Sequence, residues 1–131
     1  MFVLFDDLIG VPYKRGGCSK EEGFDCYRLC REVYRRLGRY LPEYPTVEER
    51  EEVDKIINEE KGKFVKIEEP VPYCFALFAI RPPFETHIAV VLEDKVRFIH
   101  ITQGSRCSIE RLDREFWKRR LRGFYLWKES K

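Results

Sequence analysis

The sequence is poor in histidine, methionine and side-chain amides, and it lacks a long apolar run. Its 131 residues include two histidines, one methionine, one asparagine and one glutamine. The apolar start, MFVLFDDLIG, is broken by Asp6 and Asp7 and has no basic segment before it. These features argue against a signal peptide and a membrane-spanning helix, and they favour a short docking helix or strand. We therefore expect a chain without a membrane span that is cytoplasmic as synthesised.

The chain also lacks an excess of charge of either sign. It has 25 basic and 23 acidic residues, for a net charge of +2. This balance gives no reason to expect nucleic acid as a partner. Charged residues nevertheless make up 37% of the chain, which together with the scarcity of amides is typical of heat-adapted proteins and predicts a thermophilic source. The hydrophobic content of 44% predicts a single packed domain over residues 1–131.

The five cysteines do not form a recognisable metal or redox motif. They are odd in number and include no Cys-x-x-Cys pair. A zinc site could combine some of these thiols with a histidine, but no ligand spacing supports one, so we predict no metal and no cofactor. Cys30, Cys74 and Cys107 have apolar neighbours, which predicts buried, unreactive thiols.

The first half of the sequence predicts a loop followed by helices. Residues 10–23 contain four glycines and a proline, as expected of a loop with tight turns. Asp25 suits an N-cap, Cys26 would be the first helical residue, and Gly38 would end the helix. The apolar positions of this helix follow one face and its arginines lie mostly on the others. An acidic helical insertion follows at 43–63, with its helix at about 46–60.

From residue 63 onward the spacing of the apolar residues changes from the helical period to the period of two that is typical of strands. We predict strands at 64–67, 72–80, 86–92, 96–101, 106–111 and 121–127, with a hairpin turn at 93–94. A short helix, capped by Asp113 and ending at Arg120, would present a solvated basic face beside buried Phe116 and Trp117. A binding site for phosphate polymers is the less favoured interpretation of that basic cluster. Helices followed by strands predict an α+β fold, in which an antiparallel sheet packs on the early helix.

A cysteine at a helix start and two histidines on later strands are the parts of a thiol nucleophile. The first turn of a helix stabilises a thiolate, which is the attacking form of cysteine. Cys26 has that position, and His87 could act as its base if the strand lies across the helix N-terminus. His100 lies across the predicted hairpin from His87, where it could bond the second ring nitrogen and orient the ring.

These residues resemble the NlpC-type bacterial cell-wall peptidases. The resemblance rests on GVPYKRGG, on GFDCYRLCREVYRRLG and on THIAVVLEDKVRFIHI, which occur in the family's order. It implies a papain-like fold and an endopeptidase or amidase that cleaves peptidoglycan stem peptides through a thiol acyl-enzyme. It also implies that Cys26 is the nucleophile, His87 the base and His100 the orienting residue. Tyr13 would help to form the oxyanion site, and Asp25 would help to hold the free amino end of the peptide.

The sequence departs from the family pattern directly after the cysteine, where Tyr27 and Arg28 replace the usual Ser-Gly. Two alternatives therefore stay open. The first is the same chemistry on another amide, as in a toxin or transferase, and the second is a non-catalytic phage-tail module with these two side chains blocking the cleft. The C-terminal pattern most resembles the phage-tail and prophage branch. We accordingly expect delivery to the cell wall by a phage-tail or secretion partner, and we leave the oligomeric state open.

Overall fold

The structure, a computed structural model, describes residues 3–42, 63–80 and 87–128. A 3-10 helix at Val3–Leu8 is the predicted short docking element, and the insertion at 43–63, apart from Lys63, lies outside the described residues. The elements that follow are β1 (Cys18–Ser19), β2 (Gly23–Phe24), α1 (Cys26–Arg36), β3 (Phe64–Ile67), β4 (Phe75–Phe78), β5 (His87–Val91), β6 (Arg97–His100), β7 (Ser108–Arg111), α2 (Glu115–Lys118) and β8 (Leu121–Trp127).

The larger sheet places helix α1 on one of its faces. In the described part of the chain its strand order is β3-β8-β4-β5-β6-β7, with antiparallel neighbours throughout. Alternation along each strand divides the side chains between two clusters. The cluster on the α1 face includes Phe75, Leu77, Ile88, Val90 and Ile99. The cluster on the opposite face includes Cys74, Ala76, Phe78, Ala89, Val91 and Phe98. The predicted antiparallel sheet on an early helix is confirmed.

Helix α1 runs in the same direction as strand β5. The ring of Tyr34 stacks on Phe75 at 4.9 Å between centroids, and Phe75 is paired with Val90 of β5. One turn earlier, the Cys30 thiol donates to the carbonyl of Ile88 at 3.9 Å. Four helical residues rise about 6 Å, which is close to the length of two strand residues. Each turn of the helix therefore lies level with the next pair of residues in the strand. The start of α1 therefore lies near the start of β5.

The ends of α1 follow the sequence prediction. The Asp25 carboxylate caps the helix by accepting the Arg28 backbone N–H at 2.8 Å. Gly38 has φ of 78°, the left-handed conformation that commonly ends a helix. Arg28, which the sequence placed off the apolar face, is nevertheless buried, because its side chain is 5% exposed and pairs with Asp25.

The strand predictions are confirmed, with the predicted bounds for β3 and β8 and shorter bounds for the other four. The hairpin at 93–94 is present, with the Leu92 N–H donating to the Arg97 carbonyl at 2.8 Å. The predicted cap of the last helix is wrong. The Asp113 carboxylate instead accepts two bonds from Arg111, at 2.9 and 2.8 Å, and Arg114 is the N-cap of α2. Phe116 is not buried as predicted but 52% exposed, and the Arg120 guanidinium lies 3.8 Å from its ring centroid.

Candidate active site

The two histidines form a hydrogen-bonded pair at one end of β5 and β6. Nε2 of His87 lies 2.9 Å from Nδ1 of His100, as the hairpin spacing predicted. On its other side, Nε2 of His100 lies 3.4 Å from the Ser108 hydroxyl, which β7 places directly opposite. Within the described ranges, Nδ1 of His87 is the buried side-chain nitrogen that lacks a hydrogen-bond partner. Because such orphaned atoms are rare, this nitrogen calls for a functional explanation.

Aromatic side chains enclose the histidine pair. The His100 ring meets Phe98 and Trp117 edge-on, each at 4.9 Å between centroids. The His87 ring lies 5.8 Å from Phe78 and 6.0 Å from Trp117. Both rings therefore face the sheet side opposite α1. Trp117 of the short helix α2 covers them there.

This enclosure favours the neutral imidazole in both residues. Burial lowers the pKa of His100 to about 4. Burial, with the neighbouring His100 as a second cause, lowers the pKa of His87 well below its usual 6.5. A low-dielectric surrounding penalises the cationic form of histidine. At neutral pH the pair is thus uncharged.

Cys26 is the first residue of α1 and is 1% exposed. Cys30, one turn later, contacts Ile88, which follows His87 in β5. The parallel course of helix and strand therefore brings Cys26 to the level of His87. The thiol belongs to the cluster on the α1 face, whereas the imidazole lies on the other face of the sheet, against Phe78 and Trp117. Proton transfer between Cys26 and His87 remains a prediction.

Asp25 is buried in the loop that leads into α1. Its exposed fraction is 2%, and its oxygens accept the Arg28 guanidinium at 2.6 Å and the Gly16 N–H at 3.1 Å as well as the helix N–H. The loop is closely packed here, since a Cβ added at Gly23 would lie 2.5 Å from the Pro12 carbonyl oxygen. Asp25 thereby ties the glycine-rich loop to the helix that carries the cysteine. Its predicted contact with a substrate amine stays a prediction.

Tyr13 lies in the same loop and is brought towards the helix start by the backbone. It forms a parallel bridge with Phe24, two residues before Cys26, and its N–H donates to the Ser105 carbonyl at 3.1 Å. Its ring packs against the core cluster on the α1 face. The location suits the predicted oxyanion role of Tyr13, and that role also stays a prediction.

Three features near the site were not expected from the sequence: Ser108 beside His100, the aromatic enclosure, and the buried Arg28. Ser108 lies on a strand that was predicted, but its register opposite His100 depends on a turn with no strong signal. Trp117 was expected to be buried, yet nothing in the sequence connects it with histidines on other strands. The sequence analysis made no prediction about the burial of Arg28, although its spacing of three residues from Asp25 is typical of an ion pair on a helix.

Within residues 3–42, 63–80 and 87–128, no three histidine, cysteine or acidic side chains are grouped so as to hold a metal ion. None of the helices in those ranges has the length and apolar character needed to cross a membrane. Cys30, Cys74 and Cys107 are buried free thiols, as predicted, and Cys18 is exposed.

Comparison with known proteins gives consistent matches. A sequence profile of the NlpC/P60 family matches residues 10–125. The chain is 29% identical to gamma-DL-glutamyl hydrolase of Bacillus subtilis (strain 168) over 119 residues, which are 90% of this chain and 26% of that protein. It therefore spans about a quarter of the length of this curated relative.

Solved structures share the fold. One is an NLP/P60 family protein of Staphylococcus aureus Mu50, described as similar to a lipoprotein, with a TM-score of 0.68 and 24% identity over 98% of this chain and 41% of that chain. Another is the NlpC/p60 domain of the peptidoglycan hydrolase SagA, with a TM-score of 0.62 and 23% identity over 95% of this chain and 92% of that chain. The predicted papain-like α+β fold is confirmed.

Proposed function

Because the chain belongs to the NlpC/P60 family, we propose that it is a cysteine hydrolase that cleaves amide bonds in peptidoglycan stem peptides. A bond at a γ-linked glutamate is the first candidate, since a relative is named gamma-DL-glutamyl hydrolase. The observation that carries the proposal is the buried pair of His87 and His100, 2.9 Å apart, in which Nδ1 of His87 has no hydrogen-bond partner among the described residues.

The hydrogen bonds define which nitrogen takes the proton. For Nδ1 of His87 to act as a base, its proton must reside on Nε2, which then donates to Nδ1 of His100. His100 in turn carries its proton on Nε2, which faces the Ser108 hydroxyl at 3.4 Å. Hydrogen bonds are then donated in one direction, from His87 to His100 and from His100 to Ser108. His100 acts by fixing the tautomer of His87.

The reaction would proceed through a thioester on Cys26. The thiol gives its proton to His87 and its sulfur attacks the amide carbonyl. The Cys26 backbone N–H and the Tyr13 hydroxyl stabilise the oxyanion of the tetrahedral intermediate. The C–N bond breaks as His87 returns the proton to the leaving amine. Water, deprotonated by His87, then hydrolyses the thioester and regenerates the thiol.

Digestion of purified peptidoglycan, with analysis of the released peptides, tests this function. We expect new amino and carboxyl termini from the native protein and none from Cys26→Ala. Cys18→Ser is the matched control, because Cys18 is an exposed thiol on β1. Release of the same peptides by Cys26→Ala would contradict the proposal.

A transferase or toxin with the same chemistry remains the second candidate. It would show Cys26-dependent turnover of other amides without digestion of peptidoglycan. The non-catalytic alternative supposed that Tyr27 and Arg28 block the cleft. Tyr27 is 1% exposed and its hydroxyl donates to the Pro42 carbonyl at 2.6 Å, so its ring packs within the fold. This packing favours an enzyme.

The setting of the activity is a further part of the proposal. We propose delivery to the cell wall by a phage-tail-like or other non-classical route from the cytoplasm, and a heat-adapted source. Fractionation of source cells and identification of co-purifying tail or secretion proteins test the first point. A thermal midpoint of the purified protein above that of mesophilic domains, which cluster at roughly 45–65 °C, tests the second.

A further inference from the structure

The charges of the basic cluster at residues 111–122 have no part in the proposed reaction. This stretch contains six basic and two acidic residues, which leaves 19 basic and 21 acidic residues in the rest of the chain. The excess of positive charge is therefore concentrated in one short segment, which covers the end of β7, helix α2 and the start of β8. A local excess of this kind indicates a negatively charged partner.

Most of these cations have no acidic partner in the fold. Arg111 is the exception, because its guanidinium donates to both oxygens of Asp113, at 2.9 and 2.8 Å. Within residues 3–42, 63–80 and 87–128, the other five basic side chains of the cluster form no ion pair: Arg114, Lys118, Arg119, Arg120 and Arg122. Arg120 is half-buried and the other four are exposed. These neighbouring cations repel one another, and an anionic ligand would relieve that repulsion.

Two of the arginines are held at the C-terminal end of α2 by backbone carbonyls. Nη1 of Arg120 donates to the Phe116 carbonyl at 2.8 Å. Nη1 of Arg122 donates to the carbonyls of Arg119 and Leu121, each at 3.3 Å. A guanidinium has five N–H donors, so each of these side chains keeps donors for a ligand. Its planar shape and delocalised charge suit the oxygens of a phosphate group.

An exposed aromatic ring lies among these cations. Phe116, which was predicted to be buried, is 52% exposed. The Arg120 guanidinium lies over its ring, 3.8 Å from the centroid, and Trp117 meets the ring edge-on at 4.8 Å. A phosphate polymer in solution would bind the cations and leave the ring in water. The surface of an anionic bilayer accommodates both, because it offers phosphates to the cations and an apolar layer to the ring.

We propose that Phe116 and the cations around it form a docking surface for a bilayer that contains anionic phospholipid. The headgroup phosphates would bind the guanidinium and ammonium groups, and the Phe116 ring would enter the boundary between headgroups and acyl chains. Trp117 of α2 packs on the sheet face opposite the one that carries Cys26. Docking through α2 therefore leaves the face of the proposed nucleophile uncovered.

Sedimentation of the full chain with lipid vesicles tests this surface. The probe is a vesicle of equal parts phosphatidylglycerol and phosphatidylcholine, compared with a vesicle of phosphatidylcholine alone. We expect binding to the anionic vesicle to be stronger by about tenfold or more, because the cations contribute only there. Addition of about 1 M NaCl, which screens charges beyond roughly 3 Å, should release the protein.

Lys118→Gln with Arg119→Gln removes two charges from exposed side chains that make no side-chain hydrogen bond within the described residues, so the fold should be kept. We expect this variant to bind the anionic vesicle about 30-fold more weakly, which corresponds to about 1 kcal/mol per cation. Phe116→Ser should weaken binding by a factor of about three to ten, through the loss of apolar burial.

The matched control is Lys95→Gln with Lys128→Gln, which also removes two exposed charges. Both lysines lie at the end of the sheet away from α2, so this change should alter binding less than about twofold. Circular dichroism of both double variants checks that the fold is retained.

Equal binding to the two kinds of vesicle would overturn the inference, and so would native affinity in the Lys118→Gln, Arg119→Gln variant. Equal weakening by the control variant would also overturn it. Binding to soluble inorganic polyphosphate without binding to the anionic vesicle would replace the bilayer with a phosphate polymer as the partner. None of these measurements needs turnover, so their outcome is independent of the proposed hydrolase activity.

Discussion

Nε2 of His87 lies 2.9 Å from Nδ1 of His100, so one of these two nitrogens carries a proton and the other accepts it. It uses one nitrogen of His87 and leaves the other buried without a partner in the described residues. A purely structural histidine pair would gain nothing from that orphaned atom, whose desolvation is unfavourable. We therefore propose that His87 is a base and that His100 orients it.

Loss of the Cys26 sulfur should abolish activity. We expect Cys26→Ala to lower kcat by a factor of about 10³ or more, because the nucleophile itself is lost. Iodoacetamide labelling with mass mapping should modify Cys26 during turnover conditions and spare Cys30, whose pKa burial raises strongly. Labelling of Cys30 but not Cys26 would disprove this assignment.

Changes at His100 should affect the orientation of the His87 ring more than the binding of substrate. We expect His100→Ala to lower kcat by a factor of about 10² to 10⁴ with KM almost unchanged, the range for a residue that supports acid–base catalysis. His100→Asn, which can still accept from Nε2–H of His87, should recover part of the loss. A His100→Ala enzyme with native kcat would remove this residue from the mechanism.

The buried neutral histidines should make the protein less stable in acid. The unfolded chain binds protons near pH 6.5, whereas His100 in the fold binds its proton near pH 4. Stability should therefore fall as pH drops from 6.5 to about 4, at roughly 1.4 kcal/mol per unit and about 3 kcal/mol in total from this group. Urea unfolding at pH 7.5, 5.5 and 4.5 measures the slope, and His100→Asn should reduce it.

Trp117 should set the pH range of activity. Its ring covers both imidazoles, so Trp117→Ala should admit water and move the pKa of each histidine upward towards 6.5. The acid limb of the kcat/KM profile should shift to higher pH, by about one unit or more. Phe116→Ala, which changes the exposed neighbour, should leave the profile in place.

The Asp25–Arg28 pair should be necessary for folding stability. Asp25→Ala removes the helix cap and leaves a buried guanidinium without its partner, which together predict a loss of about 3–5 kcal/mol. The free energy of unfolding in urea gives the value. Arg35→Ala, which breaks an exposed pair with Glu32, should cost about 1 kcal/mol or less.

The sequence predicted the elements that have local signals and missed contacts that depend on tertiary packing. The cap at Asp25, the stop at Gly38 and the hairpin before His100 each follow from a few adjacent residues, and the structure contains all three. By contrast, the burial of Arg28 depends on the glycine-rich loop that closes over Asp25.

The aromatic enclosure of the histidines also depends on tertiary packing and could not be predicted from local sequence signals. Phe78, Phe98 and Trp117 come from separate strands and a short helix, and their meeting depends on sheet order and register. The incorrect cap at Asp113 has a related cause, because Arg111 on the preceding strand competes for its carboxylate. Capping preferences do not include such a competitor.

The contact between Cys30 and Ile88 joins residues 58 positions apart in the chain. Closing so long a loop is entropically costly, and contacts of this range form late in folding. The proposed nucleophile and its base therefore come together only after β5 has paired within the sheet. A nascent or partly unfolded chain would carry an ordinary, protonated thiol, so we expect hydrolysis to begin only when folding is complete.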